Sequence, residues 1–323
     1  MEWRHTLWPE IRMVYTATPK VANTSVKSTL LQSFHPEAPR RNPHAEMLPY
    51  LEVHPTAIAR RYPDFLHFAV ARDPFDRFVS FFEDRVKGTG FTERIQRLGF
   101  DPTMGFTEAA ELASTISDRR ADPHLRSQSF LLTDRRGRLR PHLVLRFERM
   151  SQDWRLLCAL AEQQTGHKPG PLPHRRVSER RDIASYYDDE TLGLVAERFR
   201  TDFELLGYPT RPLVTSESAT EDADPAGHAL LQALAAGGST VLDLSAPSRS
   251  RAVAVEAGGG YYLGVVSGSA VGQLTDVRVL KDGRVPDSAF DVLVVNGRDA
   301  RLFGTYRWLR ARFASSGRTV ITV

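Results

Sequence analysis

Two segments in the first third of the chain each combine a short apolar run with a longer stretch of helical periodicity. They cover residues 11–34 and 65–86. The apolar runs at 11–17 (IRMVYTA) and 65–71 (FLHFAVA) predict buried strands, because they are short and rich in β-branched and aromatic residues. A polar turn then separates each strand from an amphipathic helix. The pattern therefore predicts two strand–turn–helix units.

The helical stretches have clear starting signals. The first helix should begin at about Thr24, and in the second Asp73 is a good N-cap with Pro74 as the first helical residue. The apolar positions at helical spacing are Val26, Leu30, Leu31 and Phe34, then Phe75, Phe78, Val79, Phe82 and Val86. Further helices are predicted at 107–117, 122–132, 151–165 and 188–203, and a third strand at 142–148. Strands that alternate with helices predict an α/β fold with a central parallel sheet.

Composition divides the chain into three parts. Residues 1–212 are rich in Arg, His and Phe and form the predicted main domain. Residues 213–226 are polar and acidic, which is typical of a linker. Residues 227–323 are rich in Gly, Ala and Val and form the predicted second, smaller domain.

The charge distribution indicates an anionic ligand or a solvated basic face. The net charge is +4 and the isoelectric point is about 9.3. Arginines cluster at 134–141 and 174–181, and arginine forks suit phosphate and sulfate groups. We expect no nucleic-acid partner, because no nucleic-acid-binding motif surrounds these clusters.

Cysteine usage and hydropathy narrow the class of protein. Cys158 is the single cysteine and lies in an apolar helical pattern, so we expect a buried structural thiol, no internal disulfide and no metal site. The N-terminal residues lack the apolar core of a signal peptide, and no apolar run is long enough to span a bilayer. We therefore expect a cytoplasmic enzyme.

The first polar turn, TPKVANTS at 18–25, has the features of an anion site. It joins a strand end to a helix N-terminus, where free N–H groups and the helix dipole favour negative charge. Thr24 and Ser25 add hydroxyl donors, and Lys20 adds a cation. A turn that only caps the following helix, and binds no anion, would have a similar sequence. The turn lacks the GxxxxGK pattern of nucleoside triphosphatases, which weakens a kinase or ATPase interpretation.

The second turn, ARDPFDRFVS at 71–80, places Arg72 at the strand exit. Arg77 and Ser80 are three residues apart on the helix and share a face, so they could hold a phosphate together. In the alternative interpretation Arg72 pairs with Asp73 or Asp76, and Ser80 faces solvent.

The order and spacing of these two turns resemble the sulfotransferases, in the carbohydrate sulfotransferase (family 2) branch. PKVANTS is similar to their 5′-phosphosulfate loop and RDPFDRFVS to their 3′-phosphate motif. The likeness continues through DPHLRSQSFLL (122–132), LVLRFERMSQDWRLL (143–157) and YYDDETLGLVAERFRTDFELLGYP (186–209). It covers most of residues 10–210 and implies a P-loop-like three-layer sandwich.

The resemblance implies sulfuryl transfer from 3′-phosphoadenosine 5′-phosphosulfate (PAPS) to an acceptor hydroxyl, without a metal. The acceptor would be a small molecule or glycan, with a carbohydrate or glycolipid precursor favoured. Carried over by position, the 5′-phosphosulfate ligands are Lys20, Val21, Ala22, Asn23, Thr24 and Ser25. The 3′-phosphate ligands are Arg72 and Ser80, and Arg180 and Arg181 could close over that phosphate. Lys20 would also stabilise charge on the bridging oxygen.

Two departures from the family pattern stand out. Ala22-Asn23 replaces a frequent Gly-Cys, and Ser127-Gln128 replaces the usual Pro-Gln. Neither change removes an essential donor.

Several residues are candidates for the general base, which is expected to be His or Glu. His54 is favoured slightly over His124 and His44, and Glu148 is a further candidate. His67 lies within a predicted strand and is expected to be structural.

The C-terminal part resembles a class I methyltransferase in outline. Residues 240–246 and 252–257 are similar to its first two strands, and Glu256 matches the acidic position. However, SAPSRSR replaces the glycine turn, and the gap between the strands is too short for a helical crossover. We therefore predict a truncated Rossmann-like domain without its own catalysis. A methyltransferase activity, or a non-catalytic nucleotide- or partner-binding module with a sulfotransferase fold, are the alternative functions.

Overall fold

The computed structural model describes residues 5–37, 51–53, 58, 60–173 and 182–210, and short pieces between 232 and 322. Ten strands are defined in this part of the chain: β1 (His5–Trp8), β2 (Met13–Thr16), β3 (Leu51–Val53), β4 (Leu66–Ala71), β5 (Leu143–Arg146), β6 (Thr240–Asp243), β7 (Tyr261–Gly264), β8 (Gln273–Leu274), β9 (Val292–Val295) and β10 (Thr319–Thr322). The longer helices are α1 (Asn23–Phe34), α2 (Pro74–Phe81), α3 (Glu93–Arg97), α4 (Phe106–Thr115), α5 (Gln128–Leu132), α6 (Met150–Thr165), α7 (Asp189–Arg198) and α8 (Arg200–Leu206).

The strands form a single mixed sheet in the order β10-β9-β6-β7-β8-β5-β4-β2-β1-β3. β2, β4 and β5 are parallel, as predicted. The sheet is not parallel throughout, because β1 pairs antiparallel with both β2 and β3. A short 3₁₀ turn at Pro9–Ile11 reverses the chain between β1 and β2, which allows an antiparallel hairpin without a crossover helix.

Helices cover both faces of the strands that lead to the two polar turns. On β4, Phe68 and Val70 enter one core cluster, which also includes Leu30 of α1 and Leu157 of α6. Ala69 and Ala71 enter the other, which is rich in aromatic residues from α2, from α8 and from the junction between α7 and α8: Phe75, Phe78, Phe81, Phe203 and Phe199. Alternate side chains of one strand therefore pack in opposite layers, which is the arrangement expected of an α/β sandwich.

Two predicted helices are shorter or broken in the structure. The segment predicted as a helix at 122–132 is helical only from Gln128 to Leu132, since the Asp122 carboxylate accepts the His124 N–H and forms a turn. The segment at 188–203 divides at Phe199, whose φ and ψ of −113° and 22° end α7 and begin α8. Cys158 is buried, and burial raises the pKa of its thiol to about 12, in agreement with a structural role.

The C-terminal strands extend this sheet beyond β5. β8 pairs antiparallel with β5 through Leu143↔Leu274 and Val144↔Gln273, and β6, β7, β9 and β10 are parallel to their neighbours. The domain limits at 212 and 227 stay predictions, because the linker lies outside the described residues.

The predicted strand at 252–257 is wrong. Ala254 and Val255 are helical, and the strand beside β6 is Tyr261–Gly264. The alternation of small and apolar residues in AVAVEA suits either structure, and periodicity alone does not distinguish them. The connection from β6 to β7 is consequently long enough for a helical crossover. Glu256 lies outside the described residues.

Candidate active site

The first turn leaves β2 and enters α1 through two residues with left-handed backbone conformations. Lys20 has a φ of +68° and Ala22 a φ of +55°. Left-handed residues within a turn are typical of the backbone nests in which successive N–H groups bind an anion. Ala22 is also the N-cap of the 12-residue helix α1, which has no side-chain cap. The first N–H groups of α1 are therefore available to an anion.

The left-handed backbone at Ala22 gives a physical reason for the glycine of the family pattern at this position. Glycine, which relatives often carry there, adopts this conformation without a steric penalty. Val21 is fully buried in the core, so only its backbone can face a ligand. Thr24 and Ser25 lie half-buried in the first turn of α1.

The second turn is built as predicted around an N-cap and a proline. Asp73 accepts the Phe75 N–H at 2.8 Å and caps α2, and Pro74 is the first helical residue. Arg72 pairs with Asp76 at 2.6 Å, which is the alternative interpretation weighed for it. Ser80 is buried, so the suggestion that it faces solvent is wrong.

Two buried arginines fasten the second turn to the first. Arg72 Nη1 donates to the carbonyl oxygen of Lys20 at 2.9 Å, and Arg77 Nε donates to that of Pro19 at 3.2 Å. Arg77 also donates to the carbonyl of His124 at 3.2 Å. Burial lowers the pKa of Arg77 to about 10, which leaves it cationic at neutral pH. The two predicted anion loops are thus neighbours, and the segment around His124 lies beside them.

A turn of π-helix at Phe82–Val86 follows α2 and brings two charged side chains to this place. Asp84 Oδ2 lies 2.8 Å from Lys20 Nζ and 3.1 Å from Arg85 Nε. Arg85 Nη2 in turn lies 2.8 Å from His124 Nε2. Polar contacts through Asp84 and Arg85 therefore connect Lys20 of the first turn to His124, a candidate base. π-turns within helices are frequent at functional sites.

His124 and Asp122 form a hydrogen-bonded dyad. The ring Nδ1 lies 2.7 Å from Asp122 Oδ1, and Arg94 Nε lies 3.2 Å from the other carboxylate oxygen. Burial acts to raise the pKa of Asp122, but the hydrogen bonds from His124 and the charge of Arg94 outweigh it, so that the pKa lies below its usual value. A carboxylate at Nδ1 requires a proton there, and a guanidinium at Nε2 requires a lone pair. These partners assign the neutral tautomer that carries its proton on Nδ1.

The other base candidates divide into two groups. His44 and His54, like Arg180 and Arg181, lie outside the described residues. Glu148 accepts the Asp73 N–H at 2.6 Å and the Tyr208 hydroxyl at 3.1 Å, and neither of these partners belongs to the dyad. His67 is buried in β4 and bonded to Thr16, in agreement with a structural role.

Gln128 has a part in the site that sequence reasoning did not identify. Its side chain accepts the Arg72 N–H at 2.9 Å and donates to the Arg72 carbonyl at 2.8 Å. Asp202 of α8 accepts the N–H groups of Gln128 and Ser129. The tail helix therefore holds Gln128, and Gln128 holds the strand exit that carries Arg72.

Ser127 accounts for the second departure from the family pattern. Its φ of −59° would suit proline, but here its N–H donates to Asp118 at 2.8 Å and its hydroxyl bonds the same carboxylate. Asp118 also binds Arg198 of α7 at 2.8 Å. The proline of the family pattern would restrict this backbone with its ring, whereas Ser127 restrains it through hydrogen bonds to Asp118, which in turn binds α7.

Replacing Asp73 by asparagine should stabilise the protein at high pH. Burial, with the nearby charge of Glu148, raises the pKa of Asp73 from 3.8 to about 7. The folded state therefore holds this proton more tightly than the unfolded chain, and the stability it contributes is complete below the unfolded value and is lost as pH rises through about 7. Asparagine keeps the N-cap oxygen and cannot ionise.

The expected gain for Asp73→Asn over the wild type is about 3 kcal/mol larger at pH 8 than at pH 5. Urea denaturation at the two pH values measures it. Asp64→Asn, at an exposed carboxylate, should show no such difference. A gain that is the same at both pH values would contradict the buried-acid explanation.

Comparison with known proteins gives one family match, which covers most of the region described above. The family model described as the sulfotransferase family matches residues 3–209, which include both turns, the dyad and the tail helices. No curated protein matches the chain, and no solved structure does. None of the helices in the described part of the chain combines the length and apolar character needed to cross a bilayer. Those same residues contain no group of His, Cys, Asp or Glu side chains arranged to hold a metal ion. Since the matched region spans well over half of the 323 residues, the chain belongs to the sulfotransferase family.

Proposed function

We propose that this protein transfers the sulfuryl group of PAPS to a hydroxyl group of a carbohydrate or glycolipid precursor. The observation that carries the proposal is the joining of the two anion loops beside a His–Asp dyad. Arg72 and Arg77 donate to consecutive carbonyl groups of the first turn, and Arg77 also donates to the His124 carbonyl. The acceptor and a cytoplasmic location stay predictions from the sequence.

The residues of the first turn fit an anionic donor. The left-handed Lys20 and Ala22, the uncapped start of α1, and the hydroxyls of Thr24 and Ser25 provide the donors that a 5′-phosphosulfate requires. At the second turn, Arg72 would hold the 3′-phosphate once that anion replaces Asp76 as its partner.

When bound, PAPS supplies the sulfuryl group and a stable phosphate leaving group. The Lys20 ammonium would stabilise the negative charge that develops on the bridging oxygen, as positioned cations do in phosphoryl transfer. His124 would accept the acceptor's proton at Nε2, so the acceptor hydroxyl has to replace Arg85 there. Asp122 keeps the ring in the required tautomer and would stabilise the imidazolium that forms.

Calorimetric titration of adenosine 3′,5′-bisphosphate tests the donor site. The wild type should bind, and Arg72→Ala should bind about 10- to 100-fold more weakly, because a charge-assisted phosphate contact is lost. Arg97→Ala is the matched control, since Arg97 is an exposed arginine paired only with Glu93 in the described structure. No binding by a folded wild type would favour the non-catalytic module. Thermal denaturation of Arg72→Ala separates loss of the contact from loss of the loop's structure.

We also propose that the C-terminal strands form a Rossmann-like unit that serves packing rather than catalysis. The parallel order β8-β7-β6-β9-β10 supports the Rossmann likeness. Leu242, Phe290 and Leu293 share a core cluster with Leu145 of β5, which supports the packing role. Binding of S-adenosylhomocysteine would instead favour a methyltransferase activity.

A further inference from the structure

The ammonium group of Lys20 is held by a carboxylate. Lys20 Nζ donates to Asp84 Oδ2 at 2.8 Å, and the lysine side chain is only 15% exposed. The motif that identifies the donor loop contains no acidic residue, and Asp84 comes from the π-turn after α2. A carboxylate on a catalytic lysine competes with any anion that the lysine is meant to bind.

We propose that Asp84 is a positioning residue that holds Lys20 in the resting enzyme and yields it to the anion of the incoming donor. The inference rests on the proposed function, because it assumes that the donor's phosphosulfate is that anion. In this proposal Asp84 lowers the affinity for the donor by a measurable amount. It also fixes the position of the Lys20 ammonium before the donor binds.

The surroundings of Asp84 make the ion pair displaceable. Arg85 Nε lies 3.1 Å from the same Oδ2 atom, so the carboxylate keeps a cationic partner after Lys20 leaves. The Asp84 side chain is 39% exposed, so water can also replace the lost hydrogen bond. A fully buried pair would leave an unpaired charge on separation, which is far more costly.

Asp84 also stays charged under working conditions. Partial burial acts to raise its pKa, but the hydrogen bond and charge of Lys20, with the charge of Arg85, outweigh this and lower the pKa below its usual value. The Asp84 carboxylate is therefore charged at neutral pH and competes with the donor for Lys20.

Calorimetric titration of adenosine 3′,5′-bisphosphate into Asp84→Asn tests the proposal. The variant should bind about two- to fivefold more tightly than the wild type, because an ion pair of this exposure is worth about that factor. Asp84→Ala should tighten binding at least as much, and it provides a second variant that offers Lys20 no side-chain oxygen. Glu83→Gln is the matched control: it removes one charge from the same π-turn, and Glu83 binds the Tyr186 hydroxyl, not Lys20.

A Lys20→Met background isolates the lysine. There, adding Asp84→Asn should leave the affinity unchanged, because no ammonium remains to be released. Unchanged binding in both Asp84 variants would overturn the proposal, as would an equal gain in Glu83→Gln, which would indicate general electrostatics. No binding by the wild type would overturn the proposed function and this inference with it.

Discussion

Replacing His124 by glutamine should lower the turnover of sulfuryl transfer by about 100- to 10,000-fold, the range that a positioned general base provides. His124 Nε2 carries the lone pair, Nδ1 is bound to the Asp122 carboxylate, and the ring lies within the network that reaches Lys20. Glutamine has similar length and polarity but cannot accept a proton at neutral pH. The affinity for adenosine 3′,5′-bisphosphate should stay within about twofold, since in the described structure the His124 side chain pairs with Asp122 and Arg85 and makes no direct hydrogen bond to the donor loop.

Initial rates with labelled donor and an acceptor found by a panel of hydroxyl compounds measure this effect. His167→Gln makes the same substitution at an exposed histidine after α6 and should leave the rate unchanged. A rate for His124→Gln close to that of the wild type would move the base elsewhere. His54 would then become the first candidate, followed by His44.

Replacing Gln128 by alanine should destabilise the protein by about 3–5 kcal/mol, because it removes two buried hydrogen bonds at once. Gln128 is fully buried, and its amide pairs both backbone groups of Arg72. Without it, a donor and an acceptor at the end of β4 lose their partners inside the protein. We also expect weaker binding of adenosine 3′,5′-bisphosphate, since the lost hydrogen bonds fix the backbone of Arg72, whose side chain is the proposed phosphate ligand.

Urea denaturation and calorimetry together test this role. Gln32→Ala on the exposed side of α1 is the control and should change stability by less than about 0.5 kcal/mol. A stability loss below about 1 kcal/mol for Gln128→Ala would show that the two hydrogen bonds from Gln128 to the Arg72 backbone are not needed to hold the end of β4.

The parts of the site that depend on local chemistry are the parts that sequence patterns predict. The Asp73 cap and Pro74 act within one turn of the chain, and both are found as expected. The polar turns follow apolar strands, so their convergence at one edge of a sheet follows from parallel pairing. The three-layer arrangement follows from the same alternation of strands and helices.

The parts that depend on distant partners are not readable from such patterns. Gln128 acts on Arg72 and is held by Asp202, and no local rule relates these three residues. The π-turn inserts an extra residue into the helical repeat, so a spacing of 3.6 gives the wrong face for Asp84 and Arg85. In the C-terminal part, AVAVEA has a periodicity that suits two structures, and only the pairing of Tyr261–Gly264 with β6 settles the strand.

The left-handed backbone of the first turn has a consequence for protein engineering. Lys20 and Ala22 both adopt a conformation that glycine accepts and other residues adopt at a cost of about 1–2 kcal/mol. A library selected only for heat resistance would therefore enrich glycine at both positions. Glycine at position 22 would leave the proposed donor site intact, because only the backbone of that residue is assigned to it. Glycine at position 20 would raise stability but remove the ammonium group that we propose for catalysis. Work that stabilises this protein should keep lysine at position 20, since our proposal gives that left-handed residue a role in catalysis.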